Sequence, residues 1–135
     1  MNVELELLMI AKLLFSAFLA GIIGYEREML KKPAGLRTHI LVALGSTLFT
    51  LISFNSFPQD PARIASYIVM GIGFIGAGTV LQMKEKVAGL TTAASLWVTA
   101  SIGMSVALEY YLVSIVITVF VYLVLKLGII EKKAK

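Results

Sequence analysis

Long apolar runs separated by short charged clusters dominate the pattern of this chain. Stretches without a charged side chain extend over residues 13–25, 38–59, 64–83, 87–108 and 110–125. A helix needs about 20 apolar residues to cross a hydrocarbon layer about 30 Å thick. The pattern therefore predicts five transmembrane helices, at about residues 5–26, 38–56, 61–83, 91–108 and 110–129.

The composition agrees with lipid as the solvent of this chain. The 135 residues are 59% hydrophobic and only 15% charged, with a mean hydropathy of +0.91. Soluble domains are typically about 45–50% apolar and about 25% charged. We therefore predict a single all-α membrane domain over residues 1–135, embedded in a lipid bilayer.

The basic residues indicate the orientation of the helices. With five spans, ten of the twelve Lys and Arg residues fall on one side, whereas Arg63 falls on the other and Lys12 within the first helix. Cytoplasmic connections carry an excess of Lys and Arg, so the N-terminus should lie outside and the C-terminus in the cytoplasm. The ten residues are Arg27, Lys31, Lys32, Arg37, Lys84, Lys86, Lys126, Lys132, Lys133 and Lys135.

The same distribution bears on targeting and on partners. Glu4 and Glu6 stand where a cleavable signal would have basic residues, so the first helix is expected to be retained. The net charge is +4, but the basic residues flank helix ends and do not form one stripe, which argues against a nucleic-acid partner.

The connections contain helix-start signals and a short repeat. Asp60 precedes Pro61 as a candidate N-cap, and Thr38 and Thr91 can cap the second and fourth helices. Residues 32–38 (KPAGLRT) and 86–92 (KVAGLTT) match at five of seven positions. This match allows a parallel repeat of helices 1–2 and 3–4, with convergent use of a good turn sequence as the alternative.

Small residues recur at helical spacing on three of the helices. The segment 70–78 (MGIGFIGAG) fits a dinucleotide-binding spacing, but it lies within an apolar helix and not at a strand-to-helix turn. We interpret its small residues as a helix-packing seam, with a locally broken transporter-like helix as the alternative. The seam comprises Gly71, Gly73, Gly76, Ala77 and Gly78, and similar stripes contain Gly21, Gly24 and Gly103.

Ionisable residues within or beside the helices are the strongest functional signals. Lys12 is expected to extend its amine outward to the interface, with pairing inside the bundle as the alternative. Glu26, Arg27 and Arg37 place both signs of charge at the inner side of the first hairpin, and Arg37 should pair with Glu26. This cluster is either an interfacial ion-pair network or a site for an ion, a lipid headgroup or a partner protein.

Two further residues have structural interpretations. Trp97 lies near the middle of its run and is expected to pack in the interior. His39 has no neighbour at metal-ligand spacing and is interpreted as a capped residue at a helix start.

The chain lacks the sequence motifs of common enzyme classes. It contains no Cys, no H-E-x-x-H, no G-x-S-x-G and no P-loop, so we expect no enzymatic activity and no cofactor. Outward carboxylates at Glu4, Glu6, Asp60 and Glu109 make a divalent-cation site conceivable, but they do not define a metal site.

Four segments together resemble the membrane domain of the bacterial MgtC/SapB family. They are IIGYERE at 22–28, KPAGLRTHILVALGS at 32–46, DPARIASYIVMGIGFIGAGTV at 60–80 and VAGLTTAASLWVTASIGM at 87–104. The resemblance implies a five-helix fold in the bacterial inner membrane. It also implies a role in adaptation to low external Mg²⁺ or acid and in survival inside host cells, as a regulator of other membrane systems.

The resemblance also implies a set of functional positions. The polar ones are Glu26, Arg27, Arg37, Thr38, Asp60, Arg63, Thr91 and Thr92, and those that shape the backbone include Gly35, Gly71, Gly73, Gly76, Gly78 and Gly89. Many members continue into a soluble domain resembling a ligand-binding ACT module, which this sequence is expected to lack.

Two functions follow from these observations. The first is a regulatory membrane protein that acts through a homodimer and other membrane proteins, since small-residue faces on several helices favour helix contacts. The second is a small transporter or channel for Mg²⁺ or another solute.

A topology measurement tests the predicted orientation. A reporter fused after Lys135 should be active in the cytoplasm, and an N-terminal tag should be accessible from outside, because basic residues remain inside. A C-terminal reporter located outside would contradict the assignment of five spans.

Overall fold

The computed structural model describes residues 2–83 and 86–133, and these form five helices and one short hairpin. The five predicted helices and the helical fold class are confirmed. The helices are α1 Val3–Met29, α2 Leu36–Ser56, α3 Pro61–Ala77, α4 Leu90–Ala107 and α5 Tyr111–Lys133. Strands β1 Leu81–Met83 and β2 Lys86–Ala88 pair antiparallel between α3 and α4.

Four of the helices have the length and apolar composition to cross a membrane. These are α1, α2, α4 and the Tyr111–Gly128 part of α5. Helix α3 is apolar but has only 17 residues, which corresponds to about 25 Å.

Contacts between helices establish their relative directions. His39 of α2 bonds to Ser95 of α4, and Thr47, two turns further along α2, bonds to the backbone of Gly103, two turns further along α4. Helices α2 and α4 are therefore parallel, so α3 and the hairpin together must return the chain along the height of the bundle. Lys12, near the start of α1, bonds to Ala107 at the end of α4, so α1 is antiparallel to both.

The bundle consequently has two distinct ends. The Glu26 end contains the end of α1 and the starts of α2 and α4. The Glu109 end contains the start of α1, the ends of α2 and α4, and the starts of α3 and α5. The structure fixes this arrangement within the molecule, while the membrane side of each end stays a prediction from the basic residues.

Close backbone approaches and hydroxyl groups hold α2 against α4. Ser46 donates a hydrogen bond to the carbonyl of Ala100 at 2.6 Å, and Thr47 donates to that of Gly103 at 3.0 Å. A Cβ on Gly103 would lie 2.7 Å from the carbonyl oxygen of Ala43, so only glycine permits this approach. In a membrane the lipid is as apolar as the helix surfaces, so close packing of small residues and interhelical hydrogen bonds stabilise helix pairs.

Apolar side chains fill the remaining interior in two clusters. One joins α1, α4 and α5, and the other joins the α1–α2 connection to α3 and α4. The first contains Leu19, Ile23, Ile102, Val106 and Leu125, and the second contains Ala34, Ile72, Leu96 and Ala100.

The predicted end of the third helix at residue 83 is wrong. Helix α3 ends at Ala77, and the N–H groups of Thr79 and Val80 turn back to the carbonyls of Gly76 and Ala77. Gly76 and Gly78 lower the helix propensity at this point, and the Thr79 hydroxyl donates to the Gly76 carbonyl. The chain then enters β1.

Two of the three predicted N-caps, Thr38 and Thr91, are wrong, whereas Asp60 is the N-cap residue of α3 and Pro61 begins the helix as predicted. Gly35 and Gly89, at equivalent positions of the short repeat, precede α2 and α4, so Thr38 and Thr91 lie inside helices. Gly89 has a φ of 92°, and a Cβ there would collide with the Thr79 carbonyl. Asp60 makes no capping bond, because its carboxylate lies instead 3.5 Å from the Arg63 guanidinium. The parallel repeat itself stays a prediction.

The glycine seam of α3 is only partly a packing surface. A Cβ on Gly76 would contact Ala93 of α4 at 3.4 Å, but Gly71 and Gly73 face open space. Interior packing of Trp97 is wrong, because its side chain lies on the outer face of α4 and is 52% exposed. An apolar indole there is compatible with a lipid surround.

Substitution of Gly24 tests the α1–α2 contact. A Cβ on Gly24 would lie 2.8 Å from the Leu36 Cα, so Gly24→Ala should separate the helices and lower the free energy of unfolding by about 1–3 kcal/mol. Chemical unfolding in detergent micelles measures this change. The matched control is Gly73→Ala, which places the same methyl in open space and should stabilise by up to about 1 kcal/mol. Equal effects of the two substitutions would contradict the close approach.

Candidate functional site: a buried polar cluster

A pair of opposite charges is buried at the Glu26 end of the bundle. Helix α1 continues past its apolar residues to Met29, which places Glu26 and Arg27 at the end of the bundle where α2 and α4 begin. The two side chains are 5% and 3% exposed, and Arg27 Nη1 lies 3.4 Å from Glu26 Oε2. Moving two charges out of water costs free energy, so the attraction between Glu26 and Arg27 must offset much of that cost.

This pair retains unused hydrogen-bonding capacity. Within the described residues, Glu26 Oε1 and Arg27 Nε are the buried side-chain polar atoms without a hydrogen-bond partner. Most buried polar atoms in proteins are bonded, so the exceptions require an explanation. The pair therefore keeps one unused acceptor, Glu26 Oε1, and one unused donor, Arg27 Nε.

His39 links the cluster to α4. It is fully buried, with Nδ1 at 2.8 Å from the Gly35 carbonyl and Nε2 at 3.0 Å from Ser95 Oγ. Because a carbonyl only accepts, Nδ1 carries a proton. In the neutral ring Nε2 accepts the Ser95 hydroxyl proton. In the charged ring Nε2 donates, and Ser95 donates to the Thr92 carbonyl at 2.8 Å. The Ser95 hydroxyl can serve either protonation state.

The predicted site residues do not form one site. Glu26, Arg27 and Thr92 lie at the buried cluster, and Thr91 is exposed nearby on the first turn of α4. Asp60 and Arg63 form an exposed ion pair at the opposite end. Arg37 and Thr38 line a separate polar crevice with Gly35 in the α1–α2 connection.

The predicted ion pair between Arg37 and Glu26 is wrong. Leu36 and His39 occupy the face of α2 that packs against Gly24 of α1. Arg37 therefore lies on another face of the same turn and is exposed. Glu26 instead contacts its sequence neighbour Arg27.

The role of His39 was missed from the sequence. Ser95 and Thr99 are one turn apart on α4, and Ser46 and Thr50 are one turn apart on α2. These matched hydroxyl stripes could have indicated a polar α2–α4 contact that includes His39.

Among the described residues, no group of three or more His, Cys, Asp or Glu side chains gathers at metal-binding distance.

A second buried charge lies at the Glu109 end. Lys12 is 7% exposed, and its Nζ lies 2.8 Å from Glu109 Oε1 and 3.2 Å from the Ala107 carbonyl. The expected outward extension of Lys12 is therefore wrong, because Ala107 at the end of α4 and Glu109 in the α4–α5 turn supply two acceptors within reach. The hydrogen bond from Lys12, together with its positive charge, lowers the pKa of Glu109.

The ion pair predicts a pH dependence of stability. The pKa of Glu109 falls below its ordinary value of 4.5 on folding, so its contribution is complete above that value and is lost as the pH falls through the lowered pKa. Glu109→Gln should lower Tm at neutral pH, and its difference from wild type should shrink below pH 4.5, as measured by thermal scans in detergent.

A control substitution separates this pair from ordinary surface charge. Asp60→Asn removes the carboxylate of the exposed Asp60–Arg63 pair at the same end, and exposed pairs contribute little to stability. Its Tm should remain close to wild type. A pH-independent deficit for Glu109→Gln would contradict the assigned role of the carboxylate.

Comparisons with known proteins identify the family. The profile described as MgtC family matches residues 13–131. A protein named "Putative magnesium transporter YhiD" from Escherichia coli (strain K12) is 44% identical over 126 residues, covering 87% of this chain and 59% of the relative. "Protein MgtC" from Salmonella typhimurium (strain LT2) is 42% identical over 112 residues, covering 83% and 48% respectively.

A more distant relative extends the match. An uncharacterised protein of Haemophilus influenzae is 32% identical over 134 residues, covering 91% of this chain and 56% of the relative. No solved structure matches the chain. The chain spans about half to three-fifths of the length of these relatives. Because the family profile covers most of the chain and four of its helices can cross a bilayer, the protein is a multi-pass membrane protein of the MgtC family.

Proposed function

We propose that this chain is a non-enzymatic regulatory protein of the bacterial inner membrane that acts through helix contacts, first with a second copy of itself and then with other membrane proteins. Its physiological setting is adaptation to low external Mg²⁺ or acid, including survival inside host cells. The names of its relatives support the link to Mg²⁺.

The observation that carries this proposal is an open groove between α2 and α3. It has a volume of about 570 Å³ and is lined almost entirely by apolar residues. Gly45 on α2 and Gly71 on α3 line it, and a Cβ on either residue would meet no atom within 4 Å. Exposed glycines permit the close approach of another helix.

A second copy is the occupant that the neighbouring surface favours. Met70 and Phe74 are 71% and 86% exposed on the flank of α3 beside the groove. In a twofold dimer, the flank of one copy can enter the groove of the other, and the reverse contact then forms by symmetry. Helix α3 contributes both to the concave groove and to the projecting flank beside it, which suits a twofold contact.

Cross-linking tests the dimer, since the chain contains no native cysteine. Phe74→Cys should form a disulfide-linked dimer in membranes, whereas Phe120→Cys, on the exposed surface of α5, should not. Gly71→Leu should abolish the Phe74→Cys cross-link by filling the groove. Gly128→Leu, which also enters open space, should preserve it. Cross-linking that survives Gly71→Leu would place the interface elsewhere.

Growth under Mg²⁺ limitation tests the biological role. In a strain that depends on this protein, Gly71→Leu should fail to support growth at normal membrane levels, while Gly128→Leu should support it. If Gly71→Leu prevents growth but Phe74→Cys alone forms no dimer cross-link, the groove would be assigned to a different membrane protein. That result would overturn the homodimer.

Mg²⁺ transport is the second candidate function. The unpartnered oxygen of the buried Glu26 carboxylate favours it, because hard cations prefer oxygen ligands. Purified protein in liposomes loaded with a Mg²⁺-sensitive dye would then show saturable flux that Glu26→Gln abolishes. The substitution Glu6→Gln, at an exposed residue predicted to lie on the outer side, serves as the control. Such flux would replace the regulatory proposal.

A further inference from the structure

A polar crevice lies in the α1–α2 connection. It is separate from the buried cluster and shares Thr38 with the lining of the apolar groove. Its volume is about 400 Å³, within the range of about 300–1,000 Å³ typical of small-molecule sites. Residues Glu28, Lys31, Lys32, Gly35, Arg37 and Thr38 line it. Three basic side chains thus converge from the end of one helix and the start of the next.

Two backbone N–H groups in one wall of the crevice are hydrogen-bonded. The N–H of Lys32 bonds to the Arg27 carbonyl at 3.0 Å, and the N–H of Lys31 bonds to the Glu28 carbonyl at 2.9 Å. This is the Schellman arrangement that ends many helices, in which glycine usually occupies the left-handed position. Here Lys31 adopts it, with a φ of 51°. Lys31 therefore adds an ammonium group beside that of Lys32, which a glycine at this position would not supply.

The opposite wall is the first turn of α2. Glu28 Oε2 accepts a hydrogen bond from the Leu36 N–H at 2.7 Å, so the one carboxylate that lines the crevice among the described residues is already engaged. A Cβ on Gly35 would collide with this carboxylate, so glycine is required for its approach. Within the described part of the chain, Lys31, Lys32 and Arg37 form no ion pair.

The net charge and the location of the crevice indicate its ligand. Among the described lining residues, three basic groups against one carboxylate leave an excess of positive charge, to which the amide groups at the start of α2 add. The basic residues predict that this end lies in the cytoplasmic leaflet, whose anionic lipids attract Lys and Arg at the membrane surface. Arg can bind phosphate oxygens through two parallel N–H groups, and Lys adds charge beside them.

We propose that this crevice binds a phosphate-bearing anion, with Arg37 as its bidentate ligand and Lys31 and Lys32 as flanking cations. The anion is either the headgroup of an acidic phospholipid or a free phosphate, and both present the same oxygens. This inference is independent of the dimer and of Mg²⁺ transport, because it uses different residues and requires neither activity.

Native mass spectrometry of the full chain in neutral detergent tests the proposal. Wild-type protein should retain phosphatidylglycerol about tenfold better than phosphatidylcholine at equal concentration, because only the former carries net negative charge. Arg37→Gln and the double substitution Lys31→Gln with Lys32→Gln should each remove most of this preference. Arg37→Lys should retain part of it, since the charge remains but the planar fork is lost.

The control is a cation at the same predicted side but outside the crevice. Lys126 of α5 lies 5.2 Å from the Tyr122 ring centroid, and Lys126→Gln removes one charge without changing the crevice. Its preference for phosphatidylglycerol should equal that of wild type. An equal loss in Lys126→Gln and Arg37→Gln, or no preference in the wild type, would overturn the proposal.

Competition then distinguishes the two sources of phosphate. Displacement of phosphatidylglycerol by millimolar inorganic phosphate or glycerol 3-phosphate, with direct retention of the small anion, assigns the crevice to a free phosphate. Persistence of the bound lipid under the same conditions assigns it to a headgroup. Arg37 is exposed, so these substitutions should fold, and an unchanged Tm without lipid verifies this.

Discussion

The close parallel contact between α2 and α4 determines where every other part of the chain can lie. Its stability comes from interhelical hydrogen bonds and from a glycine that lets the two backbones approach, because apolar burial offers little between helices in lipid. Since the two helices run in the same direction, α3 and the hairpin must carry the chain from the end of α2 back to the start of α4. Helices α1 and α5 then cover the opposite face.

This architecture separates polar chemistry from packing. The middle of the bundle contains hydroxyl groups that bond to backbone carbonyls, such as Thr50 to Ser46 and Thr99 to Ser95. Among the residues whose burial is described, charged groups are buried toward the two ends, at Glu26 with Arg27 and at Lys12. Recognition is therefore expected at the ends and on the uncovered α2–α3 face, and not along a polar path through the centre.

The apolar runs predicted the helices well because lipid imposes length and hydropathy directly on the sequence. Partners were harder to predict, because they depend on rotation about the helix axis. Successive helical residues point about 100° apart, so Arg37 lies on a different face from Leu36 and His39, which pack against α1. No local sequence signal shows which face points inward. Lys12 likewise found its partner 97 residues away, beyond any local pattern.

That separation has a consequence for the synthesis of the protein. Lys12 enters the membrane with the first helix, long before Glu109 has been made. At about 5–20 residues per second, the ribosome needs roughly 5–20 s to supply the carboxylate. During this interval the lysine must be accommodated by the insertion machinery, lipid headgroups or water, at a cost of up to about 3 kcal/mol. Synthesis of the α4–α5 turn ends that exposure, so one ion pair couples the appearance of this turn to the final position of the first helix.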